Sequence, residues 1–204
     1  MRRPWGASPA RSDAPRASGL SSAATSHGSV FRTLTGVQQM SRVFIGIGSN
    51  EGDRLRHISE AVKCLGGTEG ISLVQMATII ETEPIGPPQG PYLNTVVEVE
   101  TSLNPLQLLR ALKAIERGQG RAPAAARWAA RPIDLDLLLY GDRTIQEPEL
   151  TIPHPRLPER LFVLEPLAQL APELVHPQLG QSIAALRERL ARGELRPQPA
   201  AHRP

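Results

Sequence analysis

Between residues 43 and 140 the hydrophobic period changes repeatedly, and the order of those changes constrains the fold more than any other feature of the chain. Val43-Phe44-Ile45-Gly46-Ile47-Gly48 is a short apolar run with β-branched residues, the mark of a buried strand. Asp53 can cap a helix running to about Leu65, with Leu55, Ile58, Val62 and Leu65 at helical spacing and Gly66-Gly67 as its stop. The pattern predicts a second strand over Ile71 to Thr82. A third follows over Asn94 to Thr101, where Val97 and Val99 alternate with Glu98 and Glu100. Asn104-Pro105-Leu106-Gln107 opens a second helix: Asn104 caps, Pro105 takes the first helical position and Gln107 completes a capping box. Leu108, Leu109, Leu112 and Ile115 give that helix its buried stripe, and Gly118 and Gly120 end it. Ile133 to Tyr140 is a fourth strand. The order β-α-β-β-α-β predicts an α+β, ferredoxin-like core, an antiparallel sheet with helices packed on one face. An apolar segment from Leu161 to Leu170, then Ile183, Leu186 and Leu190, predicts a C-terminal helical extension.

Charge divides the chain. Of 204 residues with a formal net charge of +3, residues 1–39 hold Arg2, Arg3, Arg11, Arg16 and Arg32 against the single acid Asp13, a net +4. Residues 40–204 hold 18 basic and 19 acidic side chains, a net −1. The excess basicity therefore belongs to the N-terminal segment, and nothing global marks the rest for nucleic acid. Aromatics at 3% also argue against a base-stacking platform. No apolar run approaches ~18 residues, so no membrane span is expected. The lone Cys64 cannot form an internal disulfide or a Cys-based zinc site, and it fits a reducing, cytoplasmic setting. Residues 1–40 lack an apolar period and are expected to be a disordered basic tail. They read as a transit peptide, as a functional basic arm, or as upstream sequence before a start at Met40, which stands directly before the first strand-like run; the last is preferred. The domain is expected over 41–192, with a disordered 193–204 after it.

Two segments carry chemistry. Glu83 to Pro91 holds four prolines and two glycines, which forbid regular pairing and make a stiff loop. Further on, Arg127-Trp128-Ala129-Ala130-Arg131-Pro132-Ile133-Asp134-Leu135-Asp136 leads into the fourth strand. Residues two apart on a strand share a face, so Asp134 and Asp136 point the same way with Cα atoms ~6.6 Å apart. Such a pair can converge on hard divalent ions, Mg²⁺ above all, or can be an ordinary solvated face. Arg121, Arg127 and Arg131 beside it are what polyphosphate handling needs, although arginines in a Gly/Ala-rich loop also serve as surface salt bridges. The turn Gly46-Ile47-Gly48-Ser49-Asn50-Glu51-Gly52 is neither a dinucleotide fingerprint nor a P-loop and reads as a tight strand-to-helix turn. Ser49 and His154 show no motif for nucleophilic catalysis.

From Val43 to about Pro172 the chain resembles the 6-hydroxymethyl-7,8-dihydropterin pyrophosphokinases of folate biosynthesis. The resemblance rests on Phe44-Ile45-Gly46-Ile47-Gly48-Ser49-Asn50, Glu81-Thr82-Glu83-Pro84-Ile85-Gly86 and Pro91-Tyr92-Leu93-Asn94. It continues through Arg127-Trp128, Arg131 and Ile133-Asp134-Leu135-Asp136 to Ile152-Pro153-His154-Pro155 and Arg160-Leu161-Phe162-Val163-Leu164-Glu165-Pro166-Leu167. It implies transfer of a pyrophosphoryl group from ATP to the hydroxymethyl of the pterin, with AMP leaving. Asp134 and Asp136 would hold two Mg²⁺, and Arg121 and Arg131 would be the catalytic phosphate-holding arginines. Glu116, Trp128, Leu137, His154 and Arg160 would touch ATP. The pterin would lie between Tyr92 or Trp128 and Phe162, with Asn94 and groups at Thr82, Pro84 and Ile85 reading its amide edge. ATP and the pterin would be the partners of a monomer, with no nucleic acid and no membrane.

Two departures from the family pattern stand out. Pro123 occupies a position where such enzymes usually carry a second arginine, and Ala129-Ala130 replaces Gly-Pro after Trp128. A proline there restricts the loop and removes one phosphate contact, so slower turnover or weaker closure is expected. The competing functions are a pterin- or nucleotide-binding paralogue without turnover, and a Mg²⁺-dependent phosphoryl transferase acting on another heterocycle.

Overall fold

The computed structural model describes residues 39–84, 88–121 and 130–195. Its main sheet is built on β1 (Ser41–Ser49), which pairs antiparallel with β4 (Tyr92–Thr101) on one side and β5 (Asp134–Tyr140) on the other. Two shorter strands, β2 (Ile71–Met76) and β3 (Ile80–Thr82), both pair antiparallel with β4. The strand order β2-β4-β1-β5 is that of the ferredoxin-like fold, as the element order predicts. The single strand expected over Ile71 to Thr82 is thus two. The break at 77–79 is filled by Ala77, whose N–H donates to Val96 O and whose carbonyl accepts from Thr95 Oγ1 at 2.9 Å.

One face is covered by α1 (Arg54–Gly66) and α2 (Pro105–Gly118). Asp53 caps α1 by accepting from Arg56 N–H, and Asn104 and Gln107 complete the capping box of α2 at 3.0 and 2.9 Å. Ile58, Ala61 and Leu65 of α1 and Leu108 and Leu112 of α2 bury against Val43, Ile45, Ile47, Val97, Val99, Leu135 and Leu137. Leu55, expected in the α1 stripe, faces solvent.

The opposite face is covered by the C-terminal helical extension. There α3 (Leu161–Leu170) and α4 (Ile183–Ala191) pack Val163, Leu164, Leu167, Ile183 and Leu186 on Phe44, Val96, Leu138 and Leu139. Leu138 and Leu139 reach the same layer because the β1–β5 register shifts between Phe44 and Ile45, a bulge that puts one extra residue on β5. A two-stranded ribbon of β6 (Ile145–Gln146) and β7 (Thr151–Ile152) leads to the turn before α3. Among the described residues no helix is long and apolar enough to cross a membrane.

Candidate active site

Strand register assembles the site. On the α3/α4 face Asp136 lies opposite Gly46 and Asp134 opposite Gly48, and Gly48 lies opposite Asn94 on its other side. Directly paired residues share a face, so Asp134, Gly48 and Asn94 form one row across three strands. With strands ~4.8 Å apart, the Asp134 and Asn94 backbones stand about 10 Å apart across Gly48. Tyr92 is on the same face, two residues before Asn94, and its partner on β3 is Thr82. Asn94 Nδ2 donates to Thr82 Oγ1 at 2.8 Å. The glycines leave β1 bare between the acids and the amide. A Cβ at Gly48 would sit 3.0 Å from Asn94 Oδ1.

The acids are ringed by cations. Asp134 Oδ1 accepts from Arg121 and its Oδ2 from Arg131 Nη1 at 3.1 Å. Burial opposes the charge of Asp134, but the two guanidiniums outweigh it and hold the carboxyl below the usual carboxylate range. Asp136 Oδ2 lies 3.5 Å from Arg160 Nη1 and 4.0 Å from His154 Nε2. His154 Nδ1 accepts from Arg156 N–H at 3.1 Å, so a neutral ring carries its proton on Nε2, on the Asp136 side. Burial pushes the His154 imidazole and the Arg160 guanidinium down, against the pull of Asp136. Arg160 lies over the Phe162 ring at 5.6 Å to the centroid.

Behind Arg121 stands Glu116, 2% exposed. Its carboxylate accepts from Leu135 N–H at 2.7 Å, from Lys113 Nζ at 3.0 Å and from Arg121. Burial raises its pKa, and Lys113, the Leu135 amide and Arg121 offset this only in part. Glu116 therefore joins α2, β5 and the start of the arginine loop, and it faces that junction more than the cleft. Asn50, 8% exposed, joins the two loops that flank the site. Its Oδ1 accepts from Arg131 N–H at 2.9 Å and its Nδ2 donates to Gln89 Oε1 at 2.8 Å. Ser49 Oγ adds a bond to Pro132 O at 2.5 Å.

Of the residues singled out in the sequence, Asp134, Asp136, Arg121, Arg131, His154 and Arg160 form one cluster. Tyr92, Asn94 and Thr82 lie across Gly48 from it. Phe162 is half-buried against the α3/α4 layer, and Pro84 is half-buried at the entry to the Pro-rich loop. Strand alternation turns the Leu137 side chain into the α1/α2 core, away from the acids. Ile85, Trp128, Pro123, Arg127 and Ala129 lie outside the described residues. Sequence reasoning missed Asn50, Arg54 and Lys113. Only Lys113 left a signal, its i,i+3 spacing to Glu116.

Two carboxylates on one strand face, half-exposed at 26% and 33%, offer the hard oxygen donors that Mg²⁺ prefers while leaving room for substrate oxygens. The donor set therefore fits that ion.

Residues 44–172 match the family described as 7,8-dihydro-6-hydroxymethylpterin-pyrophosphokinase. Among curated relatives, the 2-amino-4-hydroxy-6-hydroxymethyldihydropteridine pyrophosphokinase of Synechocystis is 39% identical over 75% of this chain and 78% of its own. The enzyme of the same name from Bacillus subtilis is 41% identical over 64% of this chain and 78% of its own. The mitochondrial folate synthesis bifunctional protein of Pisum sativum is 43% identical over 65% of this chain, which covers 25% of that protein. Among solved structures, Plasmodium falciparum HPPK-DHPS with pterin and p-hydroxybenzoate superposes with a TM-score of 0.63 at 17% identity, over 79% of this chain and 45% of that one. At that identity the superposition speaks for the fold.

Proposed function

The chain belongs to the 7,8-dihydro-6-hydroxymethylpterin-pyrophosphokinase family, and we propose that the row Asp134–Gly48–Asn94 is where its two substrates meet. The activity is the family's: pyrophosphoryl transfer from ATP to 6-hydroxymethyl-7,8-dihydropterin, releasing AMP, in folate biosynthesis. The hydroxymethyl oxygen bonds to the β-phosphorus, the bond from that phosphorus to the α–β bridging oxygen breaks, and the hydroxyl proton is released.

The observation that carries the reading is the split character of one sheet face. One end of the row is a carboxylate held by two guanidiniums. The other is an amide fixed to a hydroxyl beside a tyrosine ring, polar groups suited to a flat heterocycle with an amide edge. Arg121 and Arg131 rest on Asp134 and are placed to pass to phosphate oxygens, where guanidinium charge stabilises the transferring group. His154 and Arg160 supply further donors beside Asp136. Asn94 and Tyr92 orient the acceptor, so that its alcohol is held near the phosphates, which converts the encounter into a positioned one. Asp134 and Asp136 would hold Mg²⁺, two ions in this reading, whose charge when bound neutralises phosphate oxygens. The proposal extends to a cytoplasmic monomer acting on these small molecules, with size-exclusion chromatography and light scattering as the check on its mass.

AMP release from ATP and 6-hydroxymethyl-7,8-dihydropterin, with and without Mg²⁺, is the deciding assay. Asp134→Ala and Asp136→Ala are expected to lower the rate by about a hundredfold or more while the circular dichroism spectrum stays that of the parent. Near-parent rates in both variants would overturn the metal assignment.

A further inference from the structure

Arg54 occupies the first position of α1, where a cation is disfavoured by the positive end of the helix dipole. The acid at this helix end, Asp53, accepts from the Arg56 N–H as the cap. The Arg54 guanidinium instead reaches across to the Pro-rich loop. Arg54 Nη1 donates to Pro91 O at 2.8 Å, and the same nitrogen lies 2.9 Å from Glu81 Oε2. The ion pair is too exposed to matter much for stability, with Glu81 57% exposed. Its geometry is more informative. Glu81 immediately precedes Thr82 and Pro91 immediately precedes Tyr92, and Thr82–Tyr92 is the last cross-strand pair before the loop opens. One side chain thus brackets that pair from both strands. The prolines of the loop stiffen its backbone, so fixing both stems also fixes the direction in which the loop leaves the sheet.

We infer that Arg54 is a positioning residue for the pterin acceptor: it holds the Thr82–Tyr92 pair, and through the Thr82–Asn94 bond the acceptor-reading amide, without touching the phosphate side. Among the described residues its side chain bonds to Glu81 and Pro91, both on the acceptor side, and not to Asp134, Asp136, Arg121 or Arg131. This rests on the acceptor reading of Tyr92, Asn94 and Thr82 given above. The effect is therefore selective. Losing the bracket weakens acceptor binding and leaves nucleotide binding as it was.

Steady-state kinetics of the full chain test this, varying each substrate in turn for the parent, Arg54→Ala, Arg54→Lys and Asn94→Ala, with melting temperatures alongside. Arg54→Ala is expected to raise the KM for 6-hydroxymethyl-7,8-dihydropterin about tenfold, the loss of a charge-assisted contact, with the KM for ATP within about twofold of the parent. Arg54→Lys, which keeps a donor for the Pro91 carbonyl, should fall between the two. It also serves as the test if Arg54→Ala does not fold. Asn94→Ala should raise the pterin KM as well. A pterin KM raised by Asn94→Ala but unchanged in both Arg54 variants would overturn the role of Arg54 alone, as would a parallel rise in both KM values. No effect of Asn94→Ala on the pterin KM would overturn the acceptor reading beneath it.

Discussion

In the proposed site Gly48 separates the Asp134 carboxylate from the Asn94 amide by the width of one strand. Any side chain there intrudes on Asn94, since a Cβ would approach Asn94 Oδ1 to 3.0 Å, closer than the amide can accept without moving. Gly46, one strand-repeat earlier, differs. Its added Cβ would meet only the Leu138 side chain, at 3.5 Å, an ordinary contact. Gly48→Ala is therefore expected to lower kcat/KM for the pterin by about tenfold or more, because a small misplacement of a positioning group is costly. Gly46→Ala should keep its melting temperature near that of the parent, with less than about 1 kcal/mol of change in stability. Equal kinetic losses in the two variants would show that the row geometry is not what matters. At this scale the sequence revealed much of the acid–arginine cluster: strand alternation alone puts Asp134 and Asp136 on one face, and the arginines stand close by in the chain. It hid the meaning of Glu116, Asn50 and Arg54. Their distant partners Leu135, Arg131 and Pro91 lie 19, 81 and 37 residues away, so no local spacing records those contacts.

Three strands are tied together at Glu98, a buried acid on β4. It accepts from Arg42 Nε of β1 at 2.6 Å, from Arg42 Nη2 at 3.1 Å and from Gln75 Nε2 of β2 at 2.7 Å. Burial alone would raise its pKa, yet the bonds from Arg42 and Gln75 outweigh that and hold the carboxyl below its ordinary 4.5. A folded pKa below the unfolded one means that the unfolded chain takes up protons first as the solution is acidified. The stabilisation by Glu98 is then complete above about pH 4.5 and is lost as pH falls through the depressed folded value. Melting temperatures between pH 3 and 7 for the parent and Glu98→Gln should differ most near neutrality and converge in acid. A gap that stays constant with pH would contradict this. The alternation of Asn94 to Thr101 foretold the strand and put Glu98 on the face away from Val97 and Val99, but its partners Arg42 and Gln75 stand on β1 and β2, which the local pattern does not record. The division of Ile71 to Thr82 was hidden for a related reason. Residues 77–79 keep the apolar, β-branched character of a strand, and it is Thr95, 18 positions on, that bonds the Ala77 carbonyl at the break. Capping signals, in contrast, are local by nature, and Asp53 and Asn104 act as their sequence announces.

At the scale of the whole molecule, the sheet has one face given wholly to packing and one shared between packing and chemistry. The α1/α2 face buries a continuous apolar layer, whereas on the other face α3 and α4 meet Phe44, Val96, Leu138 and Leu139, and Asp134, Asp136 and Tyr92 remain partly open to solvent. Both layers and every described site residue fall between Val43 and Leu195, and the first strand begins at Ser41, directly after Met40. The described core and site residues therefore all follow residue 39. Charge is where those residues matter: they hold five arginines against one acid, and the remainder of the chain carries a net −1. A chain begun at Met40 is accordingly expected to melt within about 1 °C of the full chain and to release AMP at the same rate, because it keeps every packing and site contact among the described residues. Its behaviour toward polyanions should change. At low salt the full chain is expected to be retained on heparin or a cation exchanger through the arginine-rich segment, and the shorter chain to pass through, since such attraction scales with clustered basic charge and is screened by salt. Slower AMP release or a lower melting temperature in the shorter chain would assign residues 1–39 a part in the enzyme itself; retention unchanged by their removal would place the basic surface on the folded domain.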